Sequence, residues 1–405
     1  MSAATQRGHP SQKSNPRHHG GAGVRRILFP DSGIVLVWNT RSTQHNMFFI
    51  LKKKYPLQIS RGIKDQSVNV FLKIKEGNFT AWGESAPGES ENAGTVEIVK
   101  DHLQNFISTG IKNKSIHELY NRSLEMKIPP CAYASLDMAL WDLMAKKANK
   151  PLYKYLGLPK PSQPTSVTIG INPVDIIRER IPLILKDNKF KSLKVKLGNP
   201  LGIEADKEMF NEVHEMSKNY NVKLRVDAYG GWDVNQRLDM MDWLNEREVD
   251  YIEQPIKEGD ESDLKYIFER RKMPIYLDES CRYAKQIPLW AKYVDGINLK
   301  LMKCGGITEG LKIINTARAH GLKTMIGCMS ESSVSIAASA SISGIIDHID
   351  LDSHYNLNPD PSTGTNLIDG ITSLSNNPGH GGCLLYTSDA ADDSLRVDLG
   401  GRRII

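Results

Sequence analysis

The chain has 405 residues, 40% hydrophobic and 24% charged, which is the balance of a soluble globular protein built as two domains or one large barrel with additions. The net charge of +5 arises in the first 47 residues, where Arg7, Lys13, Arg17, Arg25, Arg26 and Arg41 face only Asp31, so the body lacks the clustered basic surface of a nucleic-acid binder. No apolar run approaches the roughly 18–20 residues of a membrane span, no secretory pattern is present, and five scattered cysteines without C-x-x-C spacing fit reduced thiols in the cytoplasm.

Residues 1–46, rich in Ser, Gly, His and Arg, read as a disordered or non-native arm. Residues 47–162 read as an α+β domain. Its strands are MFFILKKKYPLQISRG, SVNVFLKIKEG and FTAWGES, with Gly77–Asn78 as a hairpin turn. Ala132, Leu136, Ala139, Leu140 and Leu143 then recur at helical spacing, and Gly157 and Pro159 close the segment.

From residue 163 to 354 the pattern becomes strand–helix alternation. Strand candidates are Ser166–Ile171, Leu193–Leu197, Leu224–Asp227, Tyr251–Glu253, Ile275–Asp278, Gly296–Lys300, Lys323–Gly327 and His348–Asp352, and helix-like stretches such as Asp233–Arg247 and Ile307–His320 lie between them. Eight such units predict an α/β fold, a (β/α) barrel of modified TIM type, with the preceding α+β domain as a cap. An open doubly wound sheet is the alternative. Residues 355–382 read as a segment returning to the cap. Residues 383–405 resemble sequencing-adapter read-through or a disordered tail.

In such a barrel the site lies at the C-terminal ends of the strands. There the chain carries Lys194 and Lys196 on strand two, Asp227, Glu253 and Asp278 on strands three to five, Lys300 on strand six, and Asp350 and Asp352 on strand eight. Residues two apart on a strand share a side, and a charge facing the helix ring would cost several kcal/mol, so these groups are expected to face the barrel mouth. Three acids on adjacent strands suit Mg²⁺, one ion per subunit. Lys196 and Lys300, four strands apart, would approach a substrate from opposite faces. A metal that stabilises an enolate between two such bases supports racemisation or epimerisation, and the handling of such a proton by a Lys or His base with Mg²⁺ is the known pattern of enolase-type sites. Cys304 and Cys328, without a histidine partner, read as packing residues.

From about Phe48 to Gly382 these motifs resemble the enolase superfamily, muconate-lactonising subgroup. Carrying the resemblance are the K-x-K at Lys194–Lys196, the three acids, LKLMKCGG around Lys300, and AWGESAP and ALWDLMAK in the cap. IDLD at Ile349–Asp352 and TMIGCMSESS at Thr324–Ser333 are similar to the dipeptide epimerase family. The resemblance implies Lys196 and Lys300 as the acid/base pair. It implies Lys194, Asp350, Asp352, Met329, Ser330 and Arg61 as substrate contacts, with the paired aspartates on the α-ammonium of a dipeptide. It also implies a homo-oligomer. Two cap loops, Ser60–Gln66 and Ala86–Asn92, would cover the substrate side chain. Arg61 and Lys64 in one and Glu89 and Glu91 in the other give opposite hints about its charge. Alternatives are an o-succinylbenzoate synthase, N-succinylamino acid racemase or muconate cycloisomerase type of reaction, and a non-catalytic barrel that binds small acids.

Overall fold

A computed structural model describes residues 24–29, 34–39, 49–60, 62–88, 93–186, 190–228 and 230–385. Arg61, Tyr229, Glu89 and Glu91 lie outside the described residues.

The first domain is a five-stranded antiparallel sheet: β1 (Val24–Phe29), β2 (Ile34–Asn39), β3 (Phe49–Ile59), β4 (Gly62–Glu76) and β5 (Phe79–Ser85). The long β4 pairs β3 through its first half, β2 through its second, and β5 after the turn at Gly77–Asn78. Two segments of the arm expected to be disordered, residues 1–46, are therefore strands. VRRILF and IVLVWN are β-branched and apolar enough to pair.

Three helices complete the domain: α1 (Val96–Ser108) and α3 (Pro130–Lys147) pack on the sheet, and α2 (Ile116–Glu125) packs on α3. Thr95 caps the first, and a Ser115–Glu118 capping box starts the second. Helix α3 is buried on nearly all sides, because it packs between the sheet and the second domain. It approaches β5 so closely that a Cβ on Gly83 would lie 1.8 Å from the carbonyl oxygen of Ser135.

The second domain is the expected barrel. Eight parallel strands follow in order: β6 (Ser166–Ile169), β7 (Ser192–Lys196), β8 (Lys223–Asp227), β9 (Ile252–Glu253), β10 (Ile275–Leu277), β11 (Gly296–Leu299), β12 (Lys323–Ile326) and β13 (His348–Ile349). A parallel bridge between Thr165 and Ile349 closes the ring. The alternation breaks after β10, where a 3₁₀ turn (Ala284–Gln286) and one helical turn (Ile287–Trp290) replace the full helix. The closing bridge excludes the open sheet.

The two domains share one hydrophobic core, and buried polar contacts join them. The Thr308 amide donates to Asp137 at 3.0 Å, the Trp141 indole to the Thr308 hydroxyl at 2.9 Å, and Tyr120 to Glu309 at 2.5 Å. Glu84, at the end of β5, accepts from the amides of Ser332 and Ser335, at the start of the helix Ser333–Ile342 that follows β12. The chain then returns across the cap. The Asn358 amide donates to the Lys52 carbonyl, and the His380 amide to Asp142 on α3. In the tail, Cys383–Leu384 is a short strand paired with Ser362–Thr363, so the ordered chain runs past residue 382. Leu384 is fully buried against Phe49, Phe71 and Trp82, and this apolar contact is what holds it.

Among the described residues no helix is long and apolar enough to cross a membrane.

Candidate active site

The register of the barrel strands assembles the site. Lys196 pairs laterally with Asp227, and Asp227 with Glu253. Glu253 pairs with Tyr276, which places Asp278 two residues on, just past the end of β10. Ligand atoms of Asp227, Glu253 and Asp278 all lie within 4.8 Å of one another, and the three side chains are buried. Asp227 Oδ1 is buried with no hydrogen-bond partner among the described residues. An orphaned carboxylate oxygen at the meeting point of three acids fits a hard divalent cation.

The lysines surround this cluster. Lys194 Nζ lies 2.6 Å from Glu253, 2.8 Å from Asp350 and 3.4 Å from Asp227. Lys196 is hydrogen-bonded to Asp227, and Lys300 Nζ donates to Asp278 at 2.6 Å. Lys196 and Lys300 come from strands four places apart in the ring, on either side of the acids. Burial alone would lower the pKa of Lys194, but Asp350, Glu253 and Asp227 outweigh it and hold the ammonium well above its ordinary value. Lys300 shows the same balance, with burial opposed by Asp278, Glu253 and Glu279. Burial also works against the Asp278 carboxylate, yet Lys300 and Lys303 keep it well below the usual range. For Glu253 burial pushes the carboxyl up, and the Lys194 ammonium opposes this.

Strand eight completes the mouth. Asp350 and Asp352 follow β13, and both line the cavity. Asp352 accepts from the Thr168 amide at 2.7 Å, and burial followed by the charge of Asp350 raises its pKa to about 6. Met329 and Ser330 also line the cavity. Ser330 accepts from Lys53 Nζ at 2.7 Å, and its carbonyl accepts from Asn69 at 2.7 Å. The cavity measures about 1040 Å³ and runs from the barrel mouth to the cap, where Leu57, Ile59, Ile63, Val68 and Val96 give it apolar walls.

Three positioning residues escape the sequence pattern. Asn298, two residues before Lys300 on the same side of its strand, donates to Glu253 Oε1 at 2.7 Å. Lys303 donates to both the carboxylate and the backbone of Asp278. Gln254 bridges strands four and five: its Oε1 accepts from the Asp278 amide at 2.9 Å, and its Nε2 donates to Ser280 at 2.8 Å. It sits at φ +42°, a sparsely populated region for a residue with a side chain, and its four side-chain bonds hold it there. The Asn298–Lys300 spacing was a readable signal. The other two depend on turns beyond the strand ends.

Comparisons with known proteins agree with this arrangement. Residues 178–383 match the family described as enolase C-terminal domain-like, and residues 46–157 match the mandelate racemase / muconate lactonizing enzyme N-terminal domain. A hydrophobic dipeptide epimerase of a Flavobacteria bacterium (strain MS024-2A) is 62% identical, over 82% of this chain and 96% of its own. One of Roseobacter litoralis is 53% identical, over 83% and 97%. Among solved structures, a dipeptide epimerase from Enterococcus faecalis V583, complexed with Mg and L-Leu-L-Tyr, superposes with a TM-score of 0.77 at 30% identity, covering 83% of this chain and 97% of that one.

Proposed function

Because the chain belongs to the enolase superfamily, in its muconate-lactonising subgroup and dipeptide epimerase family, we propose that this isomerase epimerises dipeptides at the α-carbon of the C-terminal residue, and that its preferred substrates carry a hydrophobic side chain there. The observation that carries this reading is the placement of Lys196 and Lys300 on either side of one acidic triad, with a second acidic pair, Asp350 and Asp352, across the mouth. The hydrophobic preference is supported by the two relatives above and by the apolar walls that the cap contributes.

Asp227, Glu253 and Asp278 would hold the Mg²⁺ ion. When bound, that ion neutralises the acids that hold Lys300 high and stabilises the charge that builds on the substrate carboxylate as its α-proton leaves. Lys194, kept as an ammonium by its acid neighbours, gives a fixed positive charge to the same carboxylate. Asp350 and Asp352 take the α-ammonium, so the dipeptide lies between a cationic and an anionic end. In that orientation the α-carbon presents one face to Lys196 and the other to Lys300. One lysine, as the neutral amine, accepts the proton. The other, as the ammonium, returns a proton to the opposite face, and the configuration inverts. A homo-oligomer in the cytoplasm, with no nucleic-acid or membrane partner, is part of the same reading.

The test is incubation with Mg²⁺ and a dipeptide library in D₂O, read by mass spectrometry. Substrates gain one dalton at the C-terminal residue's α-carbon, hydrophobic ones fastest. Complete absence of exchange removes the reading. Turnover of N-succinylamino acids in preference to free dipeptides would favour the racemase alternative, since those substrates offer no α-ammonium to Asp350 and Asp352.

A further inference from the structure

One buried cation in the cavity has no role in that reaction. Arg180 lies on the helix Val174–Leu185, which follows the first barrel strand. It is 9% exposed and lines the same cavity as the catalytic lysines. Among the described residues its guanidinium has no carboxylate partner. It stacks over the Tyr55 ring at 4.4 Å, and its Nε is buried without a hydrogen bond. Burial lowers its pKa, and the neighbour that opposes this, Tyr55, is not a carboxylate. Elsewhere in the molecule a buried arginine is matched: Arg237 has Asp263 at 3.1 Å, and Arg225 has Ser166 at 2.7 Å and Asp250 at 3.6 Å. Arg180 is thus a largely buried cation whose charge no acid among the described residues balances, and an anionic ligand would complete it.

The neighbourhood fixes what that ligand is. Arg180, Leu183 and Ile184 are spaced i, i+3, i+4 and all line the cavity, so one helix face is turned toward it. Phe190 and Tyr355 add aromatic walls, in edge contact with each other at 5.8 Å. Lys54 and Lys186 add positive charge near the same rim. In the ring, strand one adjoins strand eight through the Thr165–Ile349 bridge, and strand eight leads into Asp350 and Asp352. Arg180 therefore lies on the side where the α-ammonium binds, the side of the dipeptide's first residue. The second residue lies between Lys196 and Lys300 under the apolar cap walls.

We infer that Arg180, stacked on Tyr55, forms an anion subsite for a carboxylate on the side chain of the first residue of the substrate, so that the enzyme accepts dipeptides with an acidic first residue and a hydrophobic second one. This inference rests on the proposed dipeptide orientation. The planar guanidinium, fixed by the ring beneath it, offers a fork that matches the two oxygens of a carboxylate, whereas the neutral amide of the same shape brings one acceptor oxygen and no charge.

The experiment compares L-Glu-L-Leu with its isostere L-Gln-L-Leu on the Mg²⁺-loaded full chain, by α-exchange in D₂O and by calorimetric binding. The expected result is a kcat/KM and an affinity about tenfold higher for the glutamate dipeptide. In Arg180→Met that ratio falls toward one, and Arg180→Lys restores part of it. Equal treatment of the two dipeptides by the unaltered enzyme overturns the inference. So does an Arg180→Met variant that loses both substrates in equal proportion, because that pattern marks a packing role. If no dipeptide exchanges at all, the reaction assignment fails, and the binding ratio still decides the anion subsite.

Discussion

Lys303 holds Asp278 twice: its ammonium is hydrogen-bonded to the carboxylate Oδ1, and it donates to the same residue's backbone carbonyl at 2.6 Å. A third bond, to the Asn298 carbonyl at 3.1 Å, ties this pair to strand six. The acid is thus fixed in place and kept ionised before any ligand arrives.

Removing that ammonium should therefore be felt first in stability. Lys303→Met leaves a buried carboxylate cluster short of one positive charge, which should cost about 3 kcal/mol. Urea unfolding in EDTA and in saturating Mg²⁺ checks this. The deficit should narrow with the metal, because the ion supplies the missing charge. A deficit that is the same in both conditions would assign Lys303 to packing alone.

The two flanking lysines should be separable by stereochemistry. Lys196→Ala and Lys300→Ala should each reduce epimerisation by about 10³-fold. Each variant should still exchange the α-proton of one epimer and not the other, with opposite preferences. Proton NMR of both epimers in D₂O reads this directly. A variant that exchanges both epimers would mean that one base serves both faces.

Asp352→Asn keeps the shape and can still accept from the Thr168 amide, but it loses the charge. Dipeptide kcat/KM should fall by about 50-fold, corresponding to about 2–3 kcal/mol for an unpaired ammonium. Mg²⁺ affinity should stay within about twofold, a change too small to signal a lost ligand. A parallel loss of metal binding would place the residue in the cluster's support.

At the opposite end of the barrel, His348 is packed against Tyr251 and Tyr276 at 4.8 and 5.3 Å between ring centres. Burial, with Arg225 adding to it, lowers its pKa from 6.5 to about 4. Because the folded-state value is the lower one, its stabilising contribution is fully present above pH 6.5 and is lost as the pH falls through about 4. Across that window the native protein should lose on the order of 2 kcal/mol on account of this group. Unfolding midpoints measured from pH 7 to about pH 4 should fall more steeply with acid for the native chain than for His348→Phe. Parallel curves would show that other groups control the slope.

Gly83 offers a steric test of how the cap is seated. Its missing Cβ would overlap the Ser135 carbonyl, and neither β5 nor α3 can withdraw without disturbing the other. Gly83→Ala should destabilise the protein by about 3 kcal/mol. Thermal unfolding measures it, and a loss below about 0.5 kcal/mol would mean that the helix shifts freely.

Much of this site was readable because charges stand out where they are costly. Lys194, Lys196, Asp227, Glu253, Asp278 and Lys300 end apolar runs, and only a barrel mouth accommodates all of them. The spacing of the runs then gave their places in the ring. Residues that act across sequence distance left no such trace. Glu84 meets Ser332 and Ser335 only once the cap is docked, and Lys303 reaches Asp278 through the helical turn Leu301–Cys304. The strands Val24–Phe29 and Ile34–Asn39 were hidden by the composition around them, which is polar and basic. Arg180 looked like any helix surface arginine, since nothing in its local pattern reveals that the opposite wall is a tyrosine from another domain.

The bond from Glu84 to the start of the Ser333–Ile342 helix constrains how substrates reach the chemistry. A hinged opening of cap from barrel would remove the Ser332 and Ser335 donors from the fully buried Glu84 and leave it only the Asn69 amide of the cap. Movement confined to the rim, around cavity-lining residues such as Ile63 and Ser67, leaves those bonds in place. In the proposed reading the residues that would select the substrate lie at this rim and those that would move the proton lie below it, so a rim side chain can be exchanged without touching the lysines and acids at the strand ends.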